Sequence, residues 1–227
     1  MIEKFVIVWE ILQYSYMENC PIRYQKKRTI KRTTMEILIR PETENDYFEN
    51  EHVTREAFWN LYVPGCNEHY LVHVLRKHDD YLQEFSFIAE YQNKIIGNIF
   101  YARSHVINER NERLDTLTFG PVSVLPEFQR KGVGSALIQH TVEIAKQKNY
   151  PAIIIYGAPS NYCKHGFKNC KDYQISTEDG RYPYSMLVLE LQKYVFQNHN
   201  WKYYDSPVYD IQDTEVEEYD KRFPPKV

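Results

Sequence analysis

Between Phe119 and Gln147 the apolar positions change period. Phe119 to Leu125 is a nearly continuous β-branched and apolar run, the pattern of a buried strand. Pro126, which has no N–H for a ladder, ends it. Glu127 to Lys131 is a short polar turn. From Gly132 onward Val133, Leu137, Ile138, Val142, Ile144 and Ala145 return near helical spacing with polar residues between them, which predicts an amphipathic helix.

Upstream, Ile37 to Arg40 reads as a strand, and Thr43 or Asn45 caps a helix through the Glu49–Asn60 region. Pro64-Gly65 breaks that helix. A second one, over Glu68 to Lys77, carries Tyr70, Leu71, Val74 and Leu75 on one face. Phe85 to Tyr91 and Lys94 to Ser104 predict a hairpin with Gln92-Asn93 at its turn, and Gly97 marks a bulge or a close backbone approach. Glu109 to Arg113 is a charged loop. After the central unit come a β-branched strand at Ala152 to Tyr156, a short helix from Tyr162 to His165 ended by Gly166, and a late strand at Tyr184 to Leu191. A strand-helix-strand unit of this length implies a right-handed crossover and parallel neighbouring strands.

The pattern therefore predicts one α/β domain over residues 35–192 with a mixed central sheet, and no internal repeat. Residues 1–34 look foreign to it. Apolar positions (Ile2, Phe5, Val6, Trp9, Leu12) lead into Arg23, Lys26, Lys27, Arg28, Lys31 and Arg32. They read either as a basic amphipathic segment for a membrane surface or a partner, or as an upstream extension with Met35 as the natural start of the domain. The second reading is preferred. Residues 193–227 are a Tyr-rich, acidic tail that either packs back through Trp201, Tyr203 and Tyr204 or stays mobile.

Composition narrows the class. Apolar content of 43% and aromatic content of 15% over 227 residues are enough for a full core. A net charge of −3 supplies no pull toward nucleic acid or an anionic membrane, so neither is expected as a partner. Cys20, Cys66, Cys163 and Cys170 form no CxxC pair, which favours a reducing, cytoplasmic setting without disulfide or zinc. No apolar run approaches the roughly 18 residues of a membrane span.

The glycines at the helix start carry the chemistry. There, free N–H groups and the positive end of the helix dipole can meet an anion, and a missing Cβ lets a phosphate reach the backbone. A P-loop needs Lys followed by Ser or Thr after its second glycine, but Gly134 is followed by Ser135-Ala136. A dinucleotide fingerprint needs Gly or Ala where Leu137 stands.

Gln129-Arg130-Lys131-Gly132-Val133-Gly134, behind a strand ending in Val-x-Pro, instead fits Q/R-x-x-G-x-G/A. This resembles the pyrophosphate-binding motif of the GNAT N-acetyltransferase superfamily. The resemblance implies the acyl-CoA N-acyltransferase fold, with a mixed and partly splayed sheet flanked by helices, and acetyl-CoA as co-substrate without a metal. It also implies that backbone groups of Val122, Ser123 and Val124 hold the pantetheine. Gln129, Arg130, Lys131, Gly132, Val133, Gly134 and Ser135 then surround the pyrophosphate, and Asn161 adds a contact. A second family pattern, Tyr-x-x-x-Gly-Phe, matches Tyr162 followed by Gly166-Phe167. It implies that Tyr162 lies near the coenzyme sulfur as a general acid.

The implied activity is direct transfer of acetyl to a primary amine. A small-molecule amine is the first expectation, a protein α-amine or lysine the second, and an aminoglycoside the third. A subset of the superfamily has an acidic residue or His where this chain has Ala158. That difference keeps a non-catalytic acyl-CoA sensor open as the alternative, and a homodimer is also open. Glu90, Asp115 and Glu127 are general-base candidates by neighbourhood, each weighed below a plain surface charge. His69 and His73 lie one turn apart and read as surface histidines rather than metal ligands.

Overall fold

The computed structural model describes residues 35–226, so the readings of residues 1–34 lie outside the described residues. In chain order the strands are β1 (Leu38–Pro41), β2 (Phe87–Tyr91), β3 (Lys94–Asn108), β4 (Arg113–Val124), β5 (Ala152–Tyr156), β6 (Lys168–Asn169), β7 (Ile175–Thr177), β8 (Met186–Glu190) and β9 (Trp201–Tyr204). The helices are α1 (Tyr47–Phe58), α2 (Glu68–Leu75), α3 (Val133–Gln147), α4 (Pro159–Tyr162) and α5 (Asp213–Asp220). The sheet runs β1-β2-β3-β4-β5-β8-β6, with β9 also paired to β3 and β7 paired to β9.

The predicted β2–β3 hairpin forms, and both its turn residues, Gln92 and Asn93, have positive φ (52° and 62°). Side-chain amides tolerate this conformation better than most residues, and it matches the twist of a tight hairpin. Gly97 is both things expected of it. The register slips beside it, with Ala89 opposite Gly97 but Glu90 opposite Ile95. A Cβ at Gly97 would lie 2.7 Å from the Ser123 carbonyl oxygen, so the backbones meet there too closely for any side chain.

β3 and β4 are longer than the sequence pattern predicts, reaching Asn108 and starting at Arg113. The charged loop shrinks to residues 109–112, folded around Asn108, whose Oδ1 accepts from the N–H groups of Arg110 and Glu112. The added strand length went unseen because polar residues occupy its inward face. Ser104 and Thr116 are buried opposite each other with their hydroxyls 2.8 Å apart, so each satisfies the other.

β4 then bends. Tyr101 pairs with Phe119 and Ile99 with Val122, so Gly120 and Pro121 bulge out opposite Phe100 alone. β5 runs parallel to β4, as the crossover implies, but pairs with it only at Leu117 and Ile153. Beyond that point the strands splay, and the sheet opens into a V on the side where α3 begins.

β5 is buried on both faces. Ile153 and Ile155 join the core with Leu117, Leu137, Ile138, Val142 and Ala145, while Ala152 and Ile154 join a second core with Val106, Val188, Trp201 and Tyr203. This is why its sequence is a continuous apolar run rather than an alternating one.

The segment after residue 192, set apart as a tail by its composition, is part of the same fold. β9 pairs antiparallel with the far half of β3, from His105 to Asn108, and buries Trp201 and Tyr203. α5 closes over α1 and α2. Arg55 and Asp220 form a bidentate pair, the Tyr219 hydroxyl donates to Glu51 at 2.6 Å, and the Phe48 and Phe223 rings stack at 5.0 Å. Of the two histidines read as surface residues, His69 is fully buried against Tyr219 and Phe223, and His73 bonds Glu51 at 3.1 Å. Among the described residues no helix is long and apolar enough to cross a membrane, and no group of three or more His, Cys, Asp or Glu is placed to hold a metal.

Candidate active site

The V between β4 and β5 is the floor of a cleft of about 690 Å³. Three parts of the chain meet in it: the bulge of β4, the loop into α3, and the turn after β5 that carries α4. The α1–α2 connection and the segment after β9 close the remaining sides.

The loop into α3 is shaped by two positive φ angles, 59° at Arg130 and 96° at Gly132. Gly132 is the cap of α3, and having no side chain it leaves the N–H groups of the first turn, at Val133, Gly134 and Ser135, without a capping acceptor. The Gln129 amide donates to the Val124 carbonyl at 3.1 Å and ties the loop to the end of β4.

The two glycines serve different needs. A Cβ at Gly132 would meet no atom within 4 Å, so only its backbone conformation calls for glycine. Gly134 has an ordinary helical φ, and its Cβ would sit 3.6 Å from Val124 Cγ2, an ordinary contact. Nothing in the protein excludes a side chain at 134. That place opens on the cleft, where a ligand could approach the backbone.

Tyr162 lies at the end of α4 with its ring against Phe119 and Phe167, centroids 5.8 and 5.9 Å away. Gly157 makes room for it, because a Cβ there would fall 2.4 Å from Tyr162 Cε2. Burial pushes the Tyr162 hydroxyl well above the ordinary tyrosine pKa, so it stays protonated and can donate across the physiological range. Gly166, at φ 93°, turns the chain after the short helix and brings Phe167 into the core.

Of the residues expected at the site, Val122, Val124, Gln129, Arg130, Gly132, Val133, Gly134, Ser135, Asn161 and Tyr162 all line this one cleft. Two do not. Ser123 alternates to the opposite face of β4, where its buried hydroxyl donates to Thr54 Oγ1 at 3.2 Å. Lys131 lies outside the lining, its ammonium 5.3 Å from the centre of the Phe128 ring.

None of the three carboxylates named for base catalysis reaches the cleft. Glu90 is held by Arg40 at 2.9 Å, Glu127 by Lys94 at 3.3 Å, and Asp115 by Arg113 at 2.7 Å. Their counter-charges make them surface or edge ion pairs.

Two carboxylates that sequence reasoning missed do line it. Glu68 opens α2 and accepts from the Cys66 thiol and the Asn67 N–H, and burial holds its pKa above the usual carboxylate range. Asp205 follows β9, and burial raises it to about 6. No local motif marks either one. The only signal for Asp205 was its place next to the apolar-alternating Trp201–Tyr204.

An open mixed sheet, split between two parallel strands beside a glycine-started helix, defines the class. Residues 54–167 match the acetyltransferase (GNAT) family, and the chain belongs to that family. A stretch of 85 residues is 31% identical to the uncharacterized N-acetyltransferase YjhQ of Escherichia coli K12, covering 37% of this chain and 46% of that protein, so less than half of the relative is spanned.

Among solved structures, the GNAT family N-acetyltransferase YhbS of Escherichia coli, in complex with CoA, superposes with a TM-score of 0.67 at 19% identity, over 78% of this chain and 93% of that one. A GNAT family acetyltransferase of Brucella melitensis, in complex with acetyl-CoA, gives 0.61 at 22% identity, over 78% and 99%. At these identities the likeness establishes the fold.

Proposed function

We propose that the protein is an N-acetyltransferase that uses acetyl-CoA to acetylate a primary amine on a small molecule, directly and without a covalent enzyme intermediate. The observation that carries this is the convergence, in one cleft, of the uncapped helix start and the half-buried Tyr162. The family membership and the two coenzyme-bound neighbours support the same donor.

The residues present fit the coenzyme. The N–H groups of Val133, Gly134 and Ser135, with the Arg130 guanidinium, would receive the pyrophosphate, and the bare backbone at Gly134 leaves space for it. The exposed edge of β4 at Val122 and Val124 would hold the pantetheine arm. Bound there, acetyl-CoA supplies an acyl thioester to the amine.

Tyr162 donates a hydrogen bond to the sulfur as it departs. A free thiol has a pKa near 8.5 and a free tyrosine about 10, so proton transfer from Tyr162 is already uphill by roughly 2 kcal/mol, and burial steepens it. Tyr162 therefore stabilises negative charge on sulfur first and passes its proton late.

The other requirement is a neutral amine. At pH 7 an alkylamine of pKa about 10.4 is neutral only about once in 2,500, a cost of roughly 4–5 kcal/mol, so the cleft needs a proton acceptor.

The test is thiol release from acetyl-CoA across a panel of small amines. Saturable turnover on at least one is expected. Coenzyme binding with no turnover on any amine, small or peptide-borne, would make the protein an acyl-CoA-binding module and overturn the reading.

A further inference from the structure

The segment after β9 brings one carboxylate into the cleft, held by described residues through one of its two oxygens. Asp205 Oδ1 accepts from the Tyr203 hydroxyl at 3.0 Å and from the Ser206 N–H at 2.9 Å. No described residue donates to Oδ2. One oxygen is thus fixed to the scaffold and the other is left to the cleft.

The surroundings suit a cation. Tyr156 of β5 and Tyr209 of the turn after β9 line the cleft with Asp205, and the Tyr203 ring packs 6.2 Å from that of Tyr156. Aromatic faces beside a carboxylate attract an ammonium group. Ser206 ties the segment down by donating to Asp80 Oδ2 at 2.7 Å, and the Tyr209 hydroxyl reaches the Gly120 carbonyl in the β4 bulge at 3.5 Å. The bulge is where the edge of β4 opens, so this wall faces the same floor as the loop into α3. Arg130 and Lys164, the cationic side chains of the cleft, belong to the loop into α3 and the turn after α4.

Resting on the transferase reading above, we propose that Asp205 receives a cationic amine acceptor as its ammonium and takes the proton that frees the nitrogen for attack. The acceptor class is then a small molecule bearing an alkylammonium group, rather than an aromatic amine or a hydrazide that is already neutral. The ammonium gives one proton to Asp205, which passes it to solvent. The neutral nitrogen bonds to the acyl carbon as the carbon–sulfur bond breaks. Nitrogen sheds its second proton to solvent by way of Asp205, sulfur gains one from Tyr162, and Tyr162 recovers its proton from solvent, so the net products are the amide, the thiol and one released proton.

The titration of Asp205 agrees with this placement. Burial first, then the negative charge of Asp80, raises it, while the bonds from Ser206 and Tyr203 lower it, leaving it at about 6. Such a group is ionised at neutral pH yet basic enough to work there. The groups facing it are Tyr156 from β5, Tyr203 and Tyr209 from its own segment, and Asp80 from the loop after α2, with His78 Nδ1 3.7 Å from Asp80.

The experiment compares wild type with Asp205→Asn, which keeps an acceptor for Tyr203 and Ser206. For an alkylammonium substrate, kcat/KM should fall by about 10²–10⁴-fold and lose its acid limb near pH 6, while the Kd for acetyl-CoA changes less than about 2-fold. An aromatic amine or hydrazide of low pKa should lose much less. Should the Asn variant fail to fold, Tyr203→Phe carries the test, because loss of its hydrogen bond to the carboxylate should move the acid limb to higher pH. An unchanged kcat/KM with the limb intact in Asp205→Asn, or an unmoved limb in Tyr203→Phe, would overturn the assignment while leaving the transferase reading standing. Wild-type protein that acetylates no amine would overturn both.

Discussion

Gly157 and Tyr162 are packed so closely that a single methyl group would separate them: a Cβ at 157 would stand 2.4 Å from Cε2 and 3.0 Å from Cδ2 of the Tyr162 ring. The ring is wedged from the other side by Phe119 and Phe167. Gly157→Ala should therefore displace the hydroxyl by a fraction of an ångström or more. The expected result is a fall in kcat of about 10- to 100-fold with the coenzyme Kd nearly constant, approaching the effect of Tyr162→Phe. Steady-state kinetics check it, and wild-type kcat in Gly157→Ala would show that the position of Tyr162 does not matter to turnover.

The two glycines at the start of α3 should separate stability from binding. Gly132→Ala forces a side chain into a left-handed conformation and should lower stability by about 1–2 kcal/mol. Gly134→Ala meets only an ordinary contact in an ordinary helical conformation, so Tm should be unchanged or slightly higher while coenzyme affinity weakens, and Gly134→Val should abolish binding. Thermal melts and a coenzyme titration decide this. Full affinity in Gly134→Val would remove the pyrophosphate from this loop.

Asp220 neutralises a guanidinium that is otherwise shut away from water: Arg55 is 2% exposed, and its Nε and Nη2 donate to Asp220 at 2.6 and 2.9 Å. Asp220→Ala should cost about 3–5 kcal/mol, because it strands a buried charge. Arg55→Met combined with Asp220→Leu should be markedly more stable than Asp220→Ala alone. Urea midpoints test the ordering, and an Asp220→Ala protein as stable as wild type would mean that α5 contributes little to the fold.

His69 should make the protein acid-labile. It is fully buried, and although Nε2 lies 3.1 Å from Asp220 Oδ1, no described residue makes a properly directed hydrogen bond to either ring nitrogen. Burial dominates and lowers its pKa from 6.5 to about 4. The unfolded chain therefore binds a proton between these values that the folded chain refuses. Stability is fully present above about pH 6.5 and is lost as pH falls toward 4, by up to about 3 kcal/mol from this group. His69→Phe should gain on wild type as pH drops from 7 to 4.5. A constant difference between the two proteins across that range would sink the assignment.

The unit from Phe119 to Gln147 was legible because everything that shapes it is local: an apolar run, a proline, two glycines and a 3.6-residue period. Tyr162 was legible through its spacing to Gly166-Phe167. The lengths of β3 and β4 were not, because their inner faces carry Ser104 and Thr116, which satisfy one another across strands and look like loop residues alone. Nor was the direction of the Ser123 side chain, since the bulge at Gly120-Pro121 decides which way each later β4 side chain points. For the acidic tail the sequence left packing back through Trp201 and Tyr203 open beside a mobile end; the first holds, and it could not be chosen beforehand because their partners lie far upstream on β3, where no window along the chain contains both.

The family match ends at residue 167, and it contains the helix start, the β4 edge and Tyr162. Asp205, Tyr209 and Ile211 line the same cleft but arrive on a strand stitched to the far half of β3. Two stretches of chain far apart in sequence thus meet in one cavity, and the later one is clasped to the earlier at a few points, among them Asp220 on Arg55, Ser206 on Asp80 and Tyr209 on the Gly120 carbonyl.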